Sequence, residues 1–150
     1  MAVLLVSRAK RLDQIPLFEL QPDDKNMMLR AGQGWRRGVP GEKAVSADPQ
    51  SEAGHALSSG EPVVIANLAK EQRFTPDPFL EEHGIISGVT VAVAARRLSF
   101  GVLSVYSAAQ RHFNSDDLQF LLAVANVLAV AIEHGRSEGE IGKLATFAQF

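Results

Sequence analysis

The chain has 150 residues, a net charge of −2, 46% apolar and 21% charged residues. This composition is typical of one globular domain and not of a disordered or membrane protein. The absence of cysteine excludes disulfides, thiolate metal sites and thioether-linked chromophores.

The near-neutral charge gives no electrostatic reason to bind nucleic acid or an anionic membrane. The longest apolar stretches, residues 85–95 and 118–132, are shorter than the roughly 20 residues that span a bilayer. We therefore expect a cytoplasmic protein.

The first third of the chain predicts a helix, a hairpin and a loop. Leucine and alanine recur at helical spacing over residues 2–13, which predicts an amphipathic helix. Strands are predicted at residues 15–20 and 26–31, joined by the turn residues 21–24 into a hairpin. Residues 32–48 contain five glycines or prolines and no periodicity, so a loop is expected.

The middle of the chain carries two helix signals of the same kind. Each is an aspartate that caps the helix, a proline in its first turn and a later glycine that ends it. The helices are predicted over residues 49–59 and 79–83, on either side of a strand at residues 62–68. The signals are Asp48-Pro49 with Gly60, and Asp77-Pro78 with Gly84.

The last part of the chain predicts a hairpin followed by a long helix. Residues 89–95 and 100–107 are strands that are apolar on both faces, so both faces of the sheet need cover. Asn114 is the expected cap of the final helix, with two aspartates in its first turn. Residues 137–150 are expected to be a linker or tail helix outside a single domain of residues 1–136. The predicted buried stripe of the final helix is Leu118, Leu121, Leu122, Ala125, Leu128, Ala129 and Ile132.

No motif supports catalysis or a metal site. The glycine-rich residues 32–38 have their third glycine one position late and no helix behind them, unlike a dinucleotide-binding turn. The four histidines lack the spacing of a helical zinc site, and no serine lies in a nucleophile elbow. We therefore expect no enzyme, no catalytic residue and no metal ligand.

Several segments, in order and at compatible spacing, resemble the motifs of GAF domains. A short helix that ends in Gly-Glu-Pro-Val before a strand is one of them, and a Phe-Gly-Val-Leu strand and an Asp-Leu helix start are others. The similarity covers about residues 13–136, and the chain is also similar to GAF domains of bacterial sensor histidine kinases. The matching segments are residues 32–35, 54–57, 60–68, 73–74, 83–89, 100–106, 111–118, 120–121 and 125–132.

The resemblance implies an α+β fold and a sensory role. The expected fold is a six-stranded antiparallel sheet with terminal helices on one face and short helices and loops on the other. GAF domains hold ligands on that second face, and here residues 32–48 and 67–86 would cover it. The resemblance implies ligand contacts by Trp35, Arg73, Phe74, His83, Ser87 and Tyr106.

Departures from the family pattern restrict the ligand. Covalent bilin attachment and the methionine-sulfoxide reductases of this fold both require cysteine, which the chain lacks. The Asn-Lys signature of cyclic-nucleotide members is also absent, because Lys25-Asn26 is reversed and lies elsewhere. Neither a cyclic nucleotide nor haem is supported, and the identity of the ligand stays open.

Two functions remain open at this stage. The first is a bacterial sensory domain that binds a small molecule non-covalently and passes a signal to a kinase or another output domain. The second is a dimerisation or protein-interaction module whose pocket is vestigial. A homodimer is expected in either case, through Leu5, Leu12, Leu121, Leu128, Ile141 and Leu144.

Overall fold

A computed structural model describes residues 13–33, 44–75, 77–95 and 98–134. Its centre is a six-stranded antiparallel sheet with the strand order β3-β2-β1-β6-β5-β4. The strands are β1 (Asp13–Leu20), β2 (Asn26–Gln33), β3 (Ala44–Ser46), β4 (Val63–Ile65), β5 (Ser87–Ala95) and β6 (Leu98–Ser107). The helices are α1 (Glu52–Ser59), α2 (Pro78–Glu82), α3 (Ser115–Glu133) and a 3-10 turn, η1 (Leu68–Lys70).

The two faces of the sheet follow from the alternation of side chains along β5 and β6. Val91 and Leu103 are cross-strand partners and face α3, whereas Thr90 and Ser104 are partners on the opposite face, under α1. Because successive side chains of a strand point to opposite faces, each strand contributes to two separate cores. One core lies between the sheet and α3, and the other lies between the sheet and α1 with α2.

The helix α3 covers the first face. Asn114 and Asp117 form a capping box, in which each side chain accepts a hydrogen bond from the other residue's backbone N–H, at 2.9 and 3.0 Å. Leu121 and Leu128 are fully buried against the sheet. Among the described residues, α3 alone has the length and apolar character of a membrane-crossing helix, and a core helix passes the same test.

Removal of the cap of α3 is expected to destabilise the domain. The change Asn114→Ala deletes the acceptor for the Asp117 N–H, and losing such a cap costs about 1 kcal/mol. The matched control is Asn126→Ala, at an exposed position within the same helix, where the change should cost no more than roughly 0.5 kcal/mol. Urea unfolding followed by circular dichroism measures both, and equal losses would contradict the assigned cap.

Most predicted elements are confirmed, including the α+β class and the six-stranded sheet. Gly60 and Gly84 adopt the expected left-handed backbone, with φ of 72° and 65°. Asp77 and Asn114 are helix caps as predicted. Of the helix predicted at residues 2–13, residues 2–12 lie outside the described residues and Asp13 begins β1. The segment 137–150 also lies outside the described residues.

Three local predictions were wrong. The cap of α1 is Ser51 and not Asp48, because the Ser51 hydroxyl accepts from the Gly54 N–H at 3.0 Å. The predicted loop at residues 32–48 contains the end of β2 and the short edge strand β3. The strand predicted at residues 62–68 is only three residues long and is followed by η1.

Candidate functional site

The start of α1 places a glutamate against the sheet. The Ser51 hydroxyl lies 2.9 and 2.7 Å from the Ser46 and Asp48 carbonyl oxygens, which share its one proton, and so fixes the first turn of the helix. Gly54 allows this turn to approach the preceding loop, since a Cβ there would lie 2.0 Å from the Asp48 carbonyl oxygen. The side chain of Glu52 is consequently directed into the protein and is buried.

Four polar side chains meet beneath α1, and we call them the Glu52 cluster: Glu52, Thr90, Ser104 and Tyr106. The hydroxyls of Thr90 and Tyr106 both donate to Glu52 Oε1, the latter at 3.0 Å. Ser104 Oγ lies 2.6 Å from Thr90 Oγ1. All four residues are buried, beside the apolar core that the sheet forms with α1 and α2.

The hydrogen bonds of the cluster converge on one carboxylate oxygen. Thr90 gives its only proton to Glu52 Oε1, so Ser104 must be the donor in its own bond to Thr90. Glu52 Oε1 therefore accepts two hydrogen bonds, whereas the buried Oε2 has no partner among the described residues. Native proteins pair the great majority of buried polar atoms, so an unpaired carboxylate oxygen requires an explanation.

The surroundings of Glu52 favour its neutral form. Burial, the largest cause, raises its pKa from 4.5 to about 7, with further increases from the negative charges of Asp77 and Glu71. The hydrogen bonds from Thr90 and Tyr106 oppose this increase. The pKa of Tyr106 is raised well above 10.0, first by burial and then by the charge of Glu52. Near neutral pH both the neutral and the ionised form of the buried carboxyl group are thus populated.

A second unpaired oxygen lies on the same face. Gln14 on β1 is the cross-strand partner of Tyr106, and cross-strand partners share a face of the sheet. Gln14 Oε1 is buried and has no partner among the described residues. The ring of Tyr106 lies over Gly88 on the adjacent strand β5. A Cβ added to Gly88 would lie 2.4 Å from Tyr106 Cδ1. The tyrosine is thus held between two strands.

The segment from β4 to α2 covers this face. The guanidinium of Arg73 pairs with Glu71 at 2.8 Å and also donates to the Val64 carbonyl at 2.7 Å. The hydrogen bond from Arg73 lowers the pKa of Glu71 to about 2. The Thr75 N–H donates to the Gln50 carbonyl at 2.8 Å, which joins the segment to the start of α1.

The carboxylate of Asp77 connects this segment to the edge of the sheet. Asp77 Oδ2 accepts from the Ser46 N–H at 3.0 Å, while Asp77 Oδ1 caps α2 by accepting from the Phe79 N–H at 3.0 Å. One carboxylate thus connects α2 to β3.

The predicted ligand residues occupy different places. Tyr106 belongs to the Glu52 cluster. Arg73 and Phe74 lie together on the cover, with the guanidinium 5.0 Å from the ring centre, and the ring of Phe74 packs 5.2 Å from that of His55. Trp35 lies outside the described residues.

The remaining two predicted ligand residues form local structural contacts. His83 Nδ1 is 2.9 Å from the Phe79 carbonyl and its ring packs on that of Phe79. The Ser87 hydroxyl donates to the Ala109 carbonyl and accepts from the Arg111 N–H. Ser87 is fully buried. Its side chain thus joins the start of β5 to the segment that follows β6.

The predicted dimer residues need a correction at two positions. Leu121 and Leu128 are 0% and 1% exposed and pack on the sheet within the protomer, so these side chains do not face a second copy. The exposed apolar residues of α3 are instead Val127 and Val130, at 41% and 53%. The other predicted positions, Leu5, Leu12, Ile141 and Leu144, lie outside the described residues.

Sequence reasoning missed three members of the cluster. Thr90 and Ser104 interrupt strands that are otherwise apolar on both faces, and their positions on the same face were a usable signal. Glu52 gave none, because an acidic residue in the first turn of a helix is normally explained by the helix dipole. Within the described residues no group of three histidine, aspartate or glutamate side chains is arranged to bind a metal ion.

The fold and the sequence agree with one family. Residues 2–132 match the GAF domain profile. None of the functionally characterised proteins matches the sequence well enough to be called a relative. The similar solved structures below are all less than 25% identical to the chain, so their likeness concerns the fold.

The GAF domain of a phosphoenolpyruvate-protein phosphotransferase from Coxiella burnetii has a TM-score of 0.72 and 19% identity, over 93% of this chain and 92% of that one. For the corresponding Acinetobacter GAF domain the TM-score is 0.69 and the identity 22%, over 87% and 76%. For the GAF domain of a sensor histidine kinase from Bacillus halodurans the values are 0.67 and 21%, over 89% and 90%. With its sheet order, its two-sided core and the profile match over residues 2–132, the chain belongs to the GAF domain family.

Proposed function

We propose that this domain is a cytosolic sensory module of bacterial signal transduction that binds a small molecule non-covalently under α1 and relays its occupancy to an output domain, such as a kinase. The domain has no reaction of its own in this proposal. GAF domains are commonly sensory parts of signalling proteins such as histidine kinases. The observation that carries the proposal is the Glu52 cluster.

The cluster is hard to explain by stability alone. A buried carboxyl group with an unpaired oxygen costs free energy, and an apolar side chain of similar size would avoid that cost. A few convergent polar groups on an apolar face, beneath a cover of short elements, are in contrast the usual construction of a small-molecule site. The cover from β4 to α2 is the segment that a ligand would order.

Native mass spectrometry of the full chain tests the proposal. Protein purified from a bacterial cytosol is expected to carry a bound compound of constant mass that is released by denaturation. The variant Thr90→Val removes a hydroxyl of the Glu52 cluster without changing its shape, and we expect it to retain less than about a tenth of that compound, the effect of roughly 1.4 kcal/mol.

The matched control for this experiment is Thr75→Val, at an exposed position of the cover, which should retain the compound. Wild-type protein that carries no compound, and gains none when dialysed against a bacterial metabolite extract, would contradict the sensory proposal. Equal loss in both variants would contradict the location of the site.

The exposed residues Val127 and Val130 favour a second candidate, the interaction module. They lie about one turn apart on the outer side of α3, where a partner helix would bury them. In this alternative, the double variant V127E/V130E reduces the solution mass from dimer to monomer in light scattering, while Ile86→Glu, an exposed apolar position outside α3, leaves it unchanged. A monomeric wild type excludes self-association through this face.

A further inference from the structure

The chemistry of the Glu52 cluster restricts the kind of ligand that fits there. Glu52 Oε1 already accepts two hydroxyl protons, so a third interaction has to be made through Oε2. Oε2 is buried and has no partner among the described residues. In the ionised form it requires a donor, and in the neutral form its proton requires an acceptor, so the site is incomplete in either form.

The charges around Glu52 distinguish between these two possibilities. The groups that act on it from α2 and from the segment after η1 are the carboxylates of Asp77 and Glu71. The cation on that segment, Arg73, is committed to Glu71 and to the Val64 carbonyl. From β6 the facing titratable group is Tyr106, which is already a donor to Glu52. A positive group is therefore favoured at Oε2, and a negative one is repelled.

The second unpaired oxygen, that of Gln14, also favours a ligand that donates hydrogen bonds. Gln14 Oε1, beside Tyr106 on the neighbouring strand, is an acceptor that also requires a donor. A protonated amine carries three donors and no acceptor. It therefore supplies the donor that an ionised Oε2 or Gln14 Oε1 requires, and it carries the positive charge that the carboxylates around Glu52 favour.

We propose that the Glu52 cluster recognises a small organic cation, a ligand whose protonated amine donates to Glu52 Oε2. This inference rests on the proposed function and deepens it by naming the chemical class of the ligand. The bound cation compensates the buried carboxylate, and this charged hydrogen bond is stronger than one between neutral groups.

Binding of such a cation is coupled to proton release. The pKa of Glu52 is about 7 without a ligand, and a cation at Oε2 lowers it because it favours the charged form. At about pH 6 Glu52 is protonated in most molecules of the free protein, so binding of the cation releases about one proton. The affinity for the cation therefore rises with pH and levels off above about pH 8. An anionic or acceptor ligand would give the opposite pH dependence.

Isothermal titration of the full chain tests the proposal with three probes of similar size: n-propylammonium chloride, 1-propanol and sodium propionate, with sodium chloride to equalise ionic strength. We expect saturable binding of propylammonium alone. Its affinity should rise about five- to tenfold from about pH 6 to pH 8. Titrations at about pH 6 in buffers of different ionisation enthalpy should show release of about one proton.

The variant Glu52→Gln is expected to weaken propylammonium binding at least tenfold and to remove its pH dependence, whereas the control Glu61→Gln, at an exposed position after α1, should bind as the wild type does. If Glu52→Gln does not fold, the pH dependence and proton count of the wild type decide alone. Preference for propionate, affinity that falls with pH, or no saturable propylammonium binding would overturn the inference. A copurified compound without a cationic group would also overturn it and leave the sensory proposal intact.

Discussion

Raising the pH from about 5 to about 8 is expected to lower the free energy of unfolding by roughly 2–3 kcal/mol through Glu52 alone. The pKa of this group is 4.5 in its ordinary state and about 7 in the folded protein. Between these values the folded state binds more protons than the unfolded state, so the stability falls as the pH rises. Above about pH 8 Glu52 is ionised in both states, and the decrease ends.

Urea unfolding across this pH range measures the effect as a difference between the wild type and Glu52→Gln. The amide keeps an oxygen that accepts from Thr90 and Tyr106 and removes the titrating group, so the variant should lack this part of the decrease. The difference also cancels every contribution that the two proteins share. Glu61→Gln should follow the wild-type curve, and parallel curves for all three proteins would show that Glu52 is not buried as described.

Gly54→Ala is expected to destabilise the domain by about 3 kcal/mol, the upper part of the range for overpacking. The new Cβ would lie 2.0 Å from the Asp48 carbonyl oxygen and 2.5 Å from that of Ala47. Both are backbone atoms, so α1 itself has to move away from the loop. Alanine's higher helix propensity, about 1 kcal/mol, reduces the loss without removing it.

The same change should also displace Glu52, because the first turn of α1 holds both residues. We therefore expect Gly54→Ala to lose the bound compound in native mass spectrometry, in addition to its loss of stability. Ser58→Ala, at an exposed position of α1, should alter the free energy of unfolding by no more than roughly 0.5 kcal/mol and keep the compound. A Gly54→Ala variant as stable as wild type would contradict the close contact between α1 and residues 47–48.

The elements predicted correctly are those whose signals are local. The capping residue Asn114 and the left-handed Gly60 act through their own backbone neighbours, so their spacing predicts a helix start and a helix end. The β5–β6 hairpin was predictable because its two-sided apolar pattern persists over many residues. The strand β3 was missed because it is three residues long and follows a stretch without periodicity.

The candidate site was less predictable because it depends on contacts between distant segments. Glu52 lies 38 positions before Thr90 and 54 before Tyr106, and nothing near Glu52 in the sequence marks it as buried. Ser51 and Asp48 are both good caps, yet only the first is the cap of α1, and that choice decides where Glu52 points. Tyr106 was identified through the family resemblance, whereas the hydroxyls of Thr90 and Ser104 required the register of the two strands.

The central claim, a small-molecule site at the Glu52 cluster, is tested most directly by a crystal structure of the protein as purified from a bacterial cytosol. We expect electron density for a bound compound under α1, with a donor nitrogen within about 3 Å of Glu52 Oε2. A well-ordered structure in which only protein side chains surround Oε2, with no such density beneath the segment from β4 to α2, would contradict the account.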